Sequence, residues 1–265
     1  MIDIHSHILP NVDDGSKSWD ETLSMIAIGM EEGIETFVAT PHILDDLNAE
    51  RDRLLRARFY ELEERLDAEG LHVEVVLGSE IFYQFGLEKI RDLDAGTFGG
   101  NGRYFLLELN PASFPPHLEQ TLSRLQAMGL SPILAHAERY AKYAGNMKRL
   151  RELVYGGVLV QVNSGSLTGR FGRPLQKVSH KLLAENLVHF VATDAHNITT
   201  RPPLLREAMD VVAQLKGPEE VRRLFDTNPA RAIRGEWIES DVHSFMEKRV
   251  SPARKFWCKL IGQNG

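Results

Sequence analysis

The sequence predicts one α/β domain whose parallel sheet is covered by helices. Two observations support this prediction: short apolar segments alternate with longer amphipathic ones, and about seven such pairs fit within the 265 residues. Seven strand–helix pairs in a single domain indicate a closed or nearly closed (β/α) barrel. A doubly wound open sheet is the alternative, because closure cannot be read from the sequence alone.

The predicted strands are short runs rich in Val, Ile, Leu and Phe that end at polar residues or glycine. Such runs are typical of parallel strands that are buried on both faces. They cover residues 2–5, 36–40, 73–78, 104–109, 132–136, 158–162 and 189–193.

The predicted helices are amphipathic segments between these strands, and most of them stop at a glycine. Glycine is common just after a helix because it adopts the left-handed conformation without a steric cost. The segments are 20–32, 49–69, 118–128, 173–185 and 204–215, and the glycines are Gly33, Gly70, Gly129 and Gly217.

The composition excludes several classes of protein. A formal net charge of −6 argues against general nucleic-acid binding, which depends on basic side chains. Apolar runs are too short for a transmembrane segment, and the first residues lack the pattern of a signal peptide. Cys258 is the single cysteine, so we expect no internal disulfide and a reducing, cytoplasmic location.

Residues 236–265 differ in composition from residues 1–235, and we interpret them as a C-terminal extension of the barrel domain. From Lys248 onward five basic residues occur without an acidic one, interleaved with aromatic residues such as Phe256 and Trp257. A solvated terminal helix is one interpretation. The other is a basic-aromatic arm that contacts a partner protein or an anionic membrane surface.

Residues that commonly bind metals occur where the predicted strands end. His5 and His7 are two positions apart in the first strand, so their side chains point to the same side. The carboxyl ends of the strands in a parallel barrel meet at one mouth, where such enzymes place their chemistry. We therefore expect one multinuclear metal site, formed by His5, His7, His42, Glu80, Glu108, His136, Asp194 and His196. The other histidines lack this placement and are expected at the surface or in helix packing: His72, His117, His180, His189 and His243.

The chemistry of these residues indicates hydrolysis of phosphate esters. Glu108 lies within the apolar run Phe-Leu-Leu-Glu-Leu, where a cation would compensate the cost of burying a carboxylate. Nitrogen and oxygen ligands without thiolates suit Mn, Fe, Zn or Mg. Paired ions activate water and stabilise the attacking and leaving oxygens, and a carboxylate such as Glu80 can bridge them. Arg139 and Arg201 follow two of the ligand positions and could bind the phosphate, although a surface salt bridge is the alternative for each.

Several short motifs resemble those of the PHP (polymerase and histidinol phosphatase) superfamily. The resemblance is strongest to the manganese-dependent tyrosine-protein phosphatases encoded with bacterial capsule and exopolysaccharide genes, the CpsB and YwqE type. It covers roughly residues 1–235. The motifs are residues 1–7 (Met-Ile-Asp-Ile-His-Ser-His), 13–15 (Asp-Asp-Gly), 40–42 (Thr-Pro-His), 78–80 (Gly-Ser-Glu), 135–139 (Ala-His-Ala-Glu-Arg), 164–167 (Ser-Gly-Ser-Leu) and 193–197 (Thr-Asp-Ala-His-Asn).

The resemblance implies a distorted (β/α)7 barrel of the PHP type that holds three metal ions, most naturally Mn²⁺. The implied sets are His5, His7, Glu80 and Asp194 for the first ion, Glu80, Glu108 and His136 for the second, and Asp14, His42 and His196 for the third. Asp14 enters through the resemblance alone. Arg139 and Arg201 are implied to hold the phosphate, and with the ligand Asp194 they are the expected catalytic residues.

The implied substrate is phosphotyrosine on a bacterial tyrosine autokinase, on its C-terminal tail, hydrolysed by metal-activated hydroxide without a phosphoenzyme. A histidinol-phosphate phosphatase, a nuclease and a non-catalytic barrel are the competing interpretations, and an oligomer is possible. One departure concerns Ala137, which stands where the family commonly has proline, so the placement of Arg139 is the point to examine.

Overall fold

Short parallel strands form the centre of the protein. The computed structural model describes residues 1–45, 47–111, 115–144 and 147–238, and nine strands lie within them. The strands are β1 (Ile2–Ser6), β2 (Thr36–Ala39), β3 (His42–Ile43), β4 (Glu74–Leu77), β5 (Glu80–Phe82), β6 (Tyr104–Glu108), β7 (Ser131–Leu134), β8 (Leu159–Asn163) and β9 (Phe190–Ala192). All seven predicted strand segments are confirmed within a few residues.

Two of the predicted strands are interrupted near their carboxyl ends, which divides the sheet. Thr40 and Pro41 separate β2 from β3, and Gly78 and Ser79 separate β4 from β5. One sheet therefore has the order β1-β2-β4, and the other has the order β3-β5-β6-β7-β8-β9. A side chain at Gly78 would come within 2.8 Å of the Phe98 ring, so this break needs glycine.

Hydrogen bonds between the first and last strands close the ring. The main-chain N–H of Asp194 donates to the carbonyl of His5 at 2.8 Å, and the N–H of His7 donates to the carbonyl of Ala195 at 2.8 Å. With β2 and β3, and then β4 and β5, each counted as one position, seven positions follow one another around a distorted (β/α)7 barrel. The predicted barrel is confirmed, and the open sheet is not the fold.

The helices cover the outside of the barrel. They are α1 (Trp19–Glu32), α2 (Ala49–Glu69), α3 (Leu118–Ala127), α4 (Ala137–Ala144), α5 (Met147–Tyr155), α6 (Ser164–Leu167), α7 (Arg173–Ala184), α8 (Arg206–Lys216), α9 (Pro218–Arg222) and α10 (Asn228–Ile233). The five predicted helices correspond to α1, α2, α3, α7 and α8. Side-chain caps fix the entry of the first two, since Ser18 accepts from the N–H of Glu21 and Asn48 accepts from the N–H groups of Glu50 and Arg51. None of the helices in the described ranges is long and apolar enough to cross a membrane.

The connection between β5 and β6 contains no α-helix, which distorts the barrel. Three 3-10 turns take its place, at Leu87–Asp92, Asp94–Gly96 and Phe98–Gly100. A π-helix at Arg223–Thr227 joins α9 to α10. These short elements carry too few residues to produce a hydrophobic period that sequence patterns reveal.

A β-bulge in β1 aims the first two histidines. From Asp3 to Ser6 the chain of β1 advances three residues while the paired β2 advances two, from Phe37 to Ala39. The extra residue breaks the simple alternation of side chains. Ile4 therefore packs in the apolar cluster inside the barrel, and the next residue, His5, already belongs to the polar mouth.

The apolar core has an inner and an outer part. Inside the barrel, Ile4, Val38, Leu106 and Phe190 belong to a cluster that lies below the mouth. A larger cluster packs between the strands and the helices. The chain keeps packing on the barrel beyond residue 235, because Ile238 is buried in the inner cluster. Residues 239–265, with the basic-aromatic segment, lie outside the described residues.

One histidine that we expected at the surface or in helix packing is buried beneath the sheet instead. His189 is 1% exposed, and its Nδ1 accepts a hydrogen bond from the N–H of Val160 at 3.1 Å. His189 is the first residue of the predicted strand 189–193, and nothing in that short run indicates that its polar ring is buried. His72 and His117 are exposed and His180 is partly exposed, as expected, and His243 lies outside the described residues.

Candidate metal centre

All eight ligand-type residues expected at the strand ends meet at the mouth of the barrel. The first group places four buried side chains together: Nε2 of His5 lies 3.1 Å from Oε2 of Glu80 and 3.4 Å from Oδ1 of Asp194. Nε2 of His7 lies 3.3 Å and 3.5 Å from the same two oxygens. These atoms surround one point between the first, third and last strand positions, so they form a candidate site for one cation.

The second oxygen of Glu80 faces a different group. Oε1 of Glu80 lies 2.8 Å from Nε2 of His136, and Oε1 of Glu108 lies 3.7 Å from the same nitrogen. His42 lies near the other oxygen of each carboxylate, with its Nδ1 3.1 Å from Oε2 of Glu80 and 3.7 Å from Oε2 of Glu108. A cation between the two carboxylates is thus within reach of His136 and His42.

The third group lies at the outer edge of the mouth. Oδ1 of Asp14 is 3.5 Å from Nε2 of His42 and 3.4 Å from Nε2 of His196, and His7 lies beside them. Asp14 has a side chain 67% exposed, whereas His196 is 3% exposed. The residue that only the resemblance supplied therefore lies with the other candidate ligands.

Two observations indicate that this group of residues fits a cluster of divalent cations. Nδ1 of His42 and Nε2 of His196 are buried and make no hydrogen bond, although carboxylate oxygens lie 3.1 Å and 3.4 Å away, and an unsatisfied buried polar atom is costly. Nε2 of His5 and Nε2 of His7 are only 3.2 Å apart. Two nitrogen lone pairs this close repel each other unless they share an electron-pair acceptor, and a cation bound by imidazole and carboxylate groups is one.

The surroundings of Glu80, His136 and His196 favour the protonation states that bind a cation. For His5 and His7 burial lowers the pKa, but the surrounding carboxylates outweigh it and raise the pKa of both rings. Burial raises the pKa of Glu80, but the neighbouring His5 and His136 outweigh it and hold the pKa well below its usual range. Burial and the Arg139 charge lower the pKa of His136 to about 4, and burial with the His7 charge lowers the pKa of His196 to about 2. Both imidazoles are neutral near pH 7, as a ligand must be. Glu108 differs, because burial and the charge of Glu80 raise its pKa to about 7.

Asp13 orients two of the candidate ligands, a role that its place in the sequence does not indicate. Its Oδ2 accepts hydrogen bonds from Nδ1 of His7 at 2.8 Å and from the N–H of His42 at 2.9 Å. Its Oδ1 accepts from the N–H of Gly15 at 2.8 Å. Binding Nδ1–H leaves the lone pair of His7 on Nε2, which faces the first group. The pair of adjacent aspartates was visible in the sequence, but not which of them would face the mouth.

Gln161 is a second orienting residue that our sequence analysis missed. Its Oε1 accepts from Nδ1 of His5 at 3.1 Å and from the N–H of His136 at 2.7 Å. Its Nε2 donates to Oδ1 of Asn163 at 2.8 Å. Both polar side chains alternate with valines in β8, and this period of two was the available signal.

Asp194 joins the candidate ligands to the two arginines. Its Oδ1 faces His5 and His7, whereas its Oδ2 accepts from Asn163 at 2.7 Å, from Arg139 at 2.9 Å and from Arg201 at 2.5 Å. Nε of Arg201 is buried without a hydrogen-bond partner. Both guanidinium groups therefore lie at the mouth, and neither expected arginine is in a surface salt bridge.

The backbone is unusual at two of these positions. His136 has φ 35° and Asp194 has φ 55°, values that residues other than glycine adopt rarely and at a cost. His136 begins the turn into α4, where Ala137 occupies the position of the family proline. The N–H of Arg139 donates to the carbonyl of His136 at 2.9 Å, so the turn still directs Arg139 to Asp194.

A cleft of about 1310 Å³ opens beside the candidate metal groups. Asp14, His42 and Glu108 form part of its wall. Apolar side chains, among them Leu44 and Phe82, and residues from the first turns of α2 also line the cleft. The cleft is large enough for a substrate bigger than a phosphate ion, and it reaches the second and third groups of candidate ligands.

The sequence matches a known family over most of its length. Residues 1–234 match the family described as capsular polysaccharide synthesis, CpsB/CapC. The chain is 32% identical to tyrosine-protein phosphatase CpsB of Streptococcus pneumoniae, an alignment that covers 90% of this chain and 100% of that protein. It is 35% identical to tyrosine-protein phosphatase YwqE of Bacillus subtilis, over 83% of this chain and 86% of that protein.

Solved structures of this family share the fold of the chain. A crystal structure from a study of YwqE of Bacillus subtilis and CpsB of Streptococcus pneumoniae, described as metal-dependent tyrosine phosphatases, superposes with a TM-score of 0.83 and 33% identity. It covers 91% of this chain and 98% of that one. The phosphotriesterase homology protein of Escherichia coli, with a TM-score of 0.53 and 14% identity over 88% of this chain and 98% of that chain, shares the fold alone.

Proposed function

Because the chain belongs to the CpsB/CapC family, we propose that it is a metal-dependent protein-tyrosine phosphatase. The single observation that carries this proposal is the position of Glu80. One buried carboxylate lies between His5 and His7 on one oxygen and His136 on the other. A bridging carboxylate of this kind is what a multinuclear phosphoesterase needs.

We assign three cation sites to the groups in the mouth. They are His5, His7, Glu80 and Asp194 for the first site, Glu80, Glu108 and His136 for the second, and Asp14, His42 and His196 for the third. Cations held there would act as Lewis acids toward phosphate oxygens and would lower the pKa of bound water to about 7. Mn²⁺ is the proposed native ion, with Fe, Zn and Mg as the competing ions for this ligand chemistry.

The residues of the chain itself then bind and orient the substrate. Arg139 and Arg201 bind the non-bridging phosphate oxygens, because each guanidinium presents several planar donors and uses one on Asp194. The unpartnered Nε of Arg201 supplies a further donor for the same anion. Asp194, which accepts a hydrogen bond from Asn163, keeps both arginines beside the candidate ligands, where their remaining donors would orient the phosphate.

The proposed substrate is phosphotyrosine on a protein, and more finely on the C-terminal tail of a bacterial tyrosine kinase that controls capsule or exopolysaccharide synthesis. A tyrosine side chain has a pKa near 10, so its phenolate leaves more readily than the alkoxide of an alkyl phosphate. We place the reaction in the cytoplasm, where the single cysteine stays reduced, and propose that the basic-aromatic segment from Lys248 onward contacts a partner protein or an anionic membrane surface.

Turnover of two substrates by one metal-loaded preparation tests the proposal. We expect a phosphotyrosine peptide to be hydrolysed with the higher kcat/KM, and histidinol phosphate to be a poor substrate. Metal analysis of the same preparation identifies the bound ion. A more than tenfold preference for histidinol phosphate would contradict the proposed substrate, and full activity after exhaustive chelation would contradict metal dependence.

A further inference from the structure

Two apolar side chains follow candidate ligands at the carboxyl ends of β3 and β5. Side chains two residues apart on a strand face the same side, about 6.6 Å apart. Phe82 lies two residues beyond Glu80 within β5, and Leu44 follows the end of β3, two residues beyond His42. His42 pairs with Glu80 in register, and Phe82 pairs with Glu108. Phe82 is therefore level with Glu108, and Leu44 follows the strand that pairs with β5.

Both side chains line the cleft that contains Asp14, His42 and Glu108. Leu44 is 67% exposed, a large value for a leucine that stands among charged residues, and Phe82 is partly buried. Leu54, on the first turns of α2, extends this apolar wall and is 44% exposed. Exposed apolar side chains that cluster in a cleft mark a place where an apolar part of a ligand binds.

We propose that Leu44 and Phe82 form a shelf that binds the aromatic ring of phosphotyrosine while its phosphate lies among the metal groups and arginines. This assignment rests on the proposed function and adds the residues that select an aryl phosphate. The ring of phosphotyrosine is attached directly to the ester oxygen, so it must lie just outside the metal layer, where the shelf is. Phosphoserine has no ring to place there, so it gains nothing from the shelf.

The shelf accounts for selectivity that the metal groups do not provide. Cations and guanidinium groups recognise the phosphate, which is the same in every phosphate monoester. Discrimination between esters requires contacts with the group that carries the phosphate, and an apolar contact of a few carbon atoms changes kcat/KM by about tenfold or more. The exposed Phe85, 91% exposed on the loop after β5, does not line the cleft and is not part of the shelf.

The test compares free phosphotyrosine with inorganic phosphate, which occupies the phosphate site without a ring. For Leu44→Ala we expect kcat/KM for phosphotyrosine to fall roughly five- to tenfold, and the inhibition constant of inorganic phosphate to stay unchanged. Leu215→Ala is the matched control, because Leu215 is also an exposed leucine, 49% exposed, on α8. Its kinetics should equal those of the wild type. Phe82→Leu, which keeps an apolar side chain at a partly buried position, should show a smaller loss of the same kind.

Each other outcome overturns the assignment. An unchanged kcat/KM in Leu44→Ala would show that the ring binds elsewhere. Equal changes for phosphotyrosine and inorganic phosphate would show that Leu44 acts through the phosphate site. Failure of the wild type to hydrolyse phosphotyrosine would overturn both the proposed function and the shelf. If the wild type is active and Leu44→Ala is unchanged, only the shelf is overturned.

Discussion

Glu80 and His136 meet across the barrel mouth, with Oε1 of the carboxylate 2.8 Å from Nε2 of the ring. The other oxygen of Glu80 lies 3.1 Å from His5. The Glu80 carboxylate, at the start of β5, therefore connects His5 in β1 with His136 after β7. Removing its charge should disturb more than one cation site at once.

Glu80→Gln tests this connection. We expect the variant to lose at least two bound ions per chain and to keep less than about one hundredth of wild-type activity, since even changes behind the ligands cost 10- to 100-fold. Metal analysis and phosphotyrosine turnover measure both effects. Glu152→Gln is the control, because Glu152 is an exposed carboxylate on α5. Retention of every ion by Glu80→Gln would rule out the bridging role.

Arg139→Ala separates phosphate binding from metal binding. The variant should keep its metal content and lose about 10²- to 10³-fold in kcat, because a donor aimed at the developing charge is removed. Arg139→Lys should restore little, since an ammonium lacks the planar donor fork. Arg58→Ala, at a partly exposed arginine of α2, should behave as the wild type. Normal turnover by Arg139→Ala would refute the proposed role in phosphate binding.

Gln161→Met removes the hydrogen bonds that orient His5 and the main chain at His136, and it preserves side-chain volume. We expect metal affinity to weaken about 10- to 100-fold with the ligands themselves unchanged. Titration of the metal-free protein with Mn²⁺ measures this directly. Gln126→Met serves as the control, because Gln126 contacts the carbonyl of Gly156 far from the mouth. Unchanged affinity would limit Gln161 to a packing role.

Removal of metal should destabilise the fold as well as stop the reaction. A ligand present at 100 times its Kd stabilises the native state by about 2.7 kcal/mol for each site. We therefore expect a chelator to lower the melting temperature and Mn²⁺ to restore it, with parallel samples of Zn²⁺, Fe²⁺ and Mg²⁺ to rank the ions. Identical melting curves with and without chelator would contradict binding of metal by the folded state.

His189 makes stability depend on pH at a place remote from the mouth. Burial and the nearby Arg223 lower the pKa of His189 to about 3, from an ordinary value of 6.5. The unfolded chain therefore binds a proton between these values that the folded chain does not bind. The contribution of neutral His189 to the free energy of unfolding is fully present above pH 6.5 and is lost as the pH falls toward 3. About 2 kcal/mol of it is lost at pH 5.

The variant His189→Asn isolates this effect. The asparagine oxygen can accept the hydrogen bond from Val160 and does not titrate. Urea unfolding at pH 7.5 and pH 5 should show the wild type losing about 2 kcal/mol more than the variant between the two conditions. An equal loss in both proteins would show that His189 is protonated in the fold, contrary to its burial.

The order of strands and long helices was predictable because their residues carry a local pattern. Buried parallel strands appear as apolar runs, and α1 and α2 have side-chain caps and terminal glycines. The closure between β1 and β9 was not predictable from pattern alone, since it depends on hydrogen bonds between residues far apart in sequence. The shorter helices were missed because nine or fewer residues hold too little periodicity; they are α4, α5, α6, α9 and α10.

The candidate ligands were predictable for a similar reason. They follow the ends of strands, and in a parallel barrel that position alone brings them to one mouth. Asp13 and Gln161 were missed because an orienting residue is defined by what it faces, and not by its place along a strand. The bulge at His5 and the left-handed φ of His136 likewise arise from three-dimensional constraints.

The closure of the barrel by its first and last strands also determines when the mouth can form during synthesis. His5 and His7 leave the ribosome early, whereas Asp194 and His196 follow after most of the described chain. At 5–20 residues per second that interval is about 10–40 s. Throughout it the early histidines lack the residues that complete their groups. The growing chain therefore cannot complete the first and third cation sites until Asp194 and His196 emerge, whereas the residues of the second site are all present once His136 has been added.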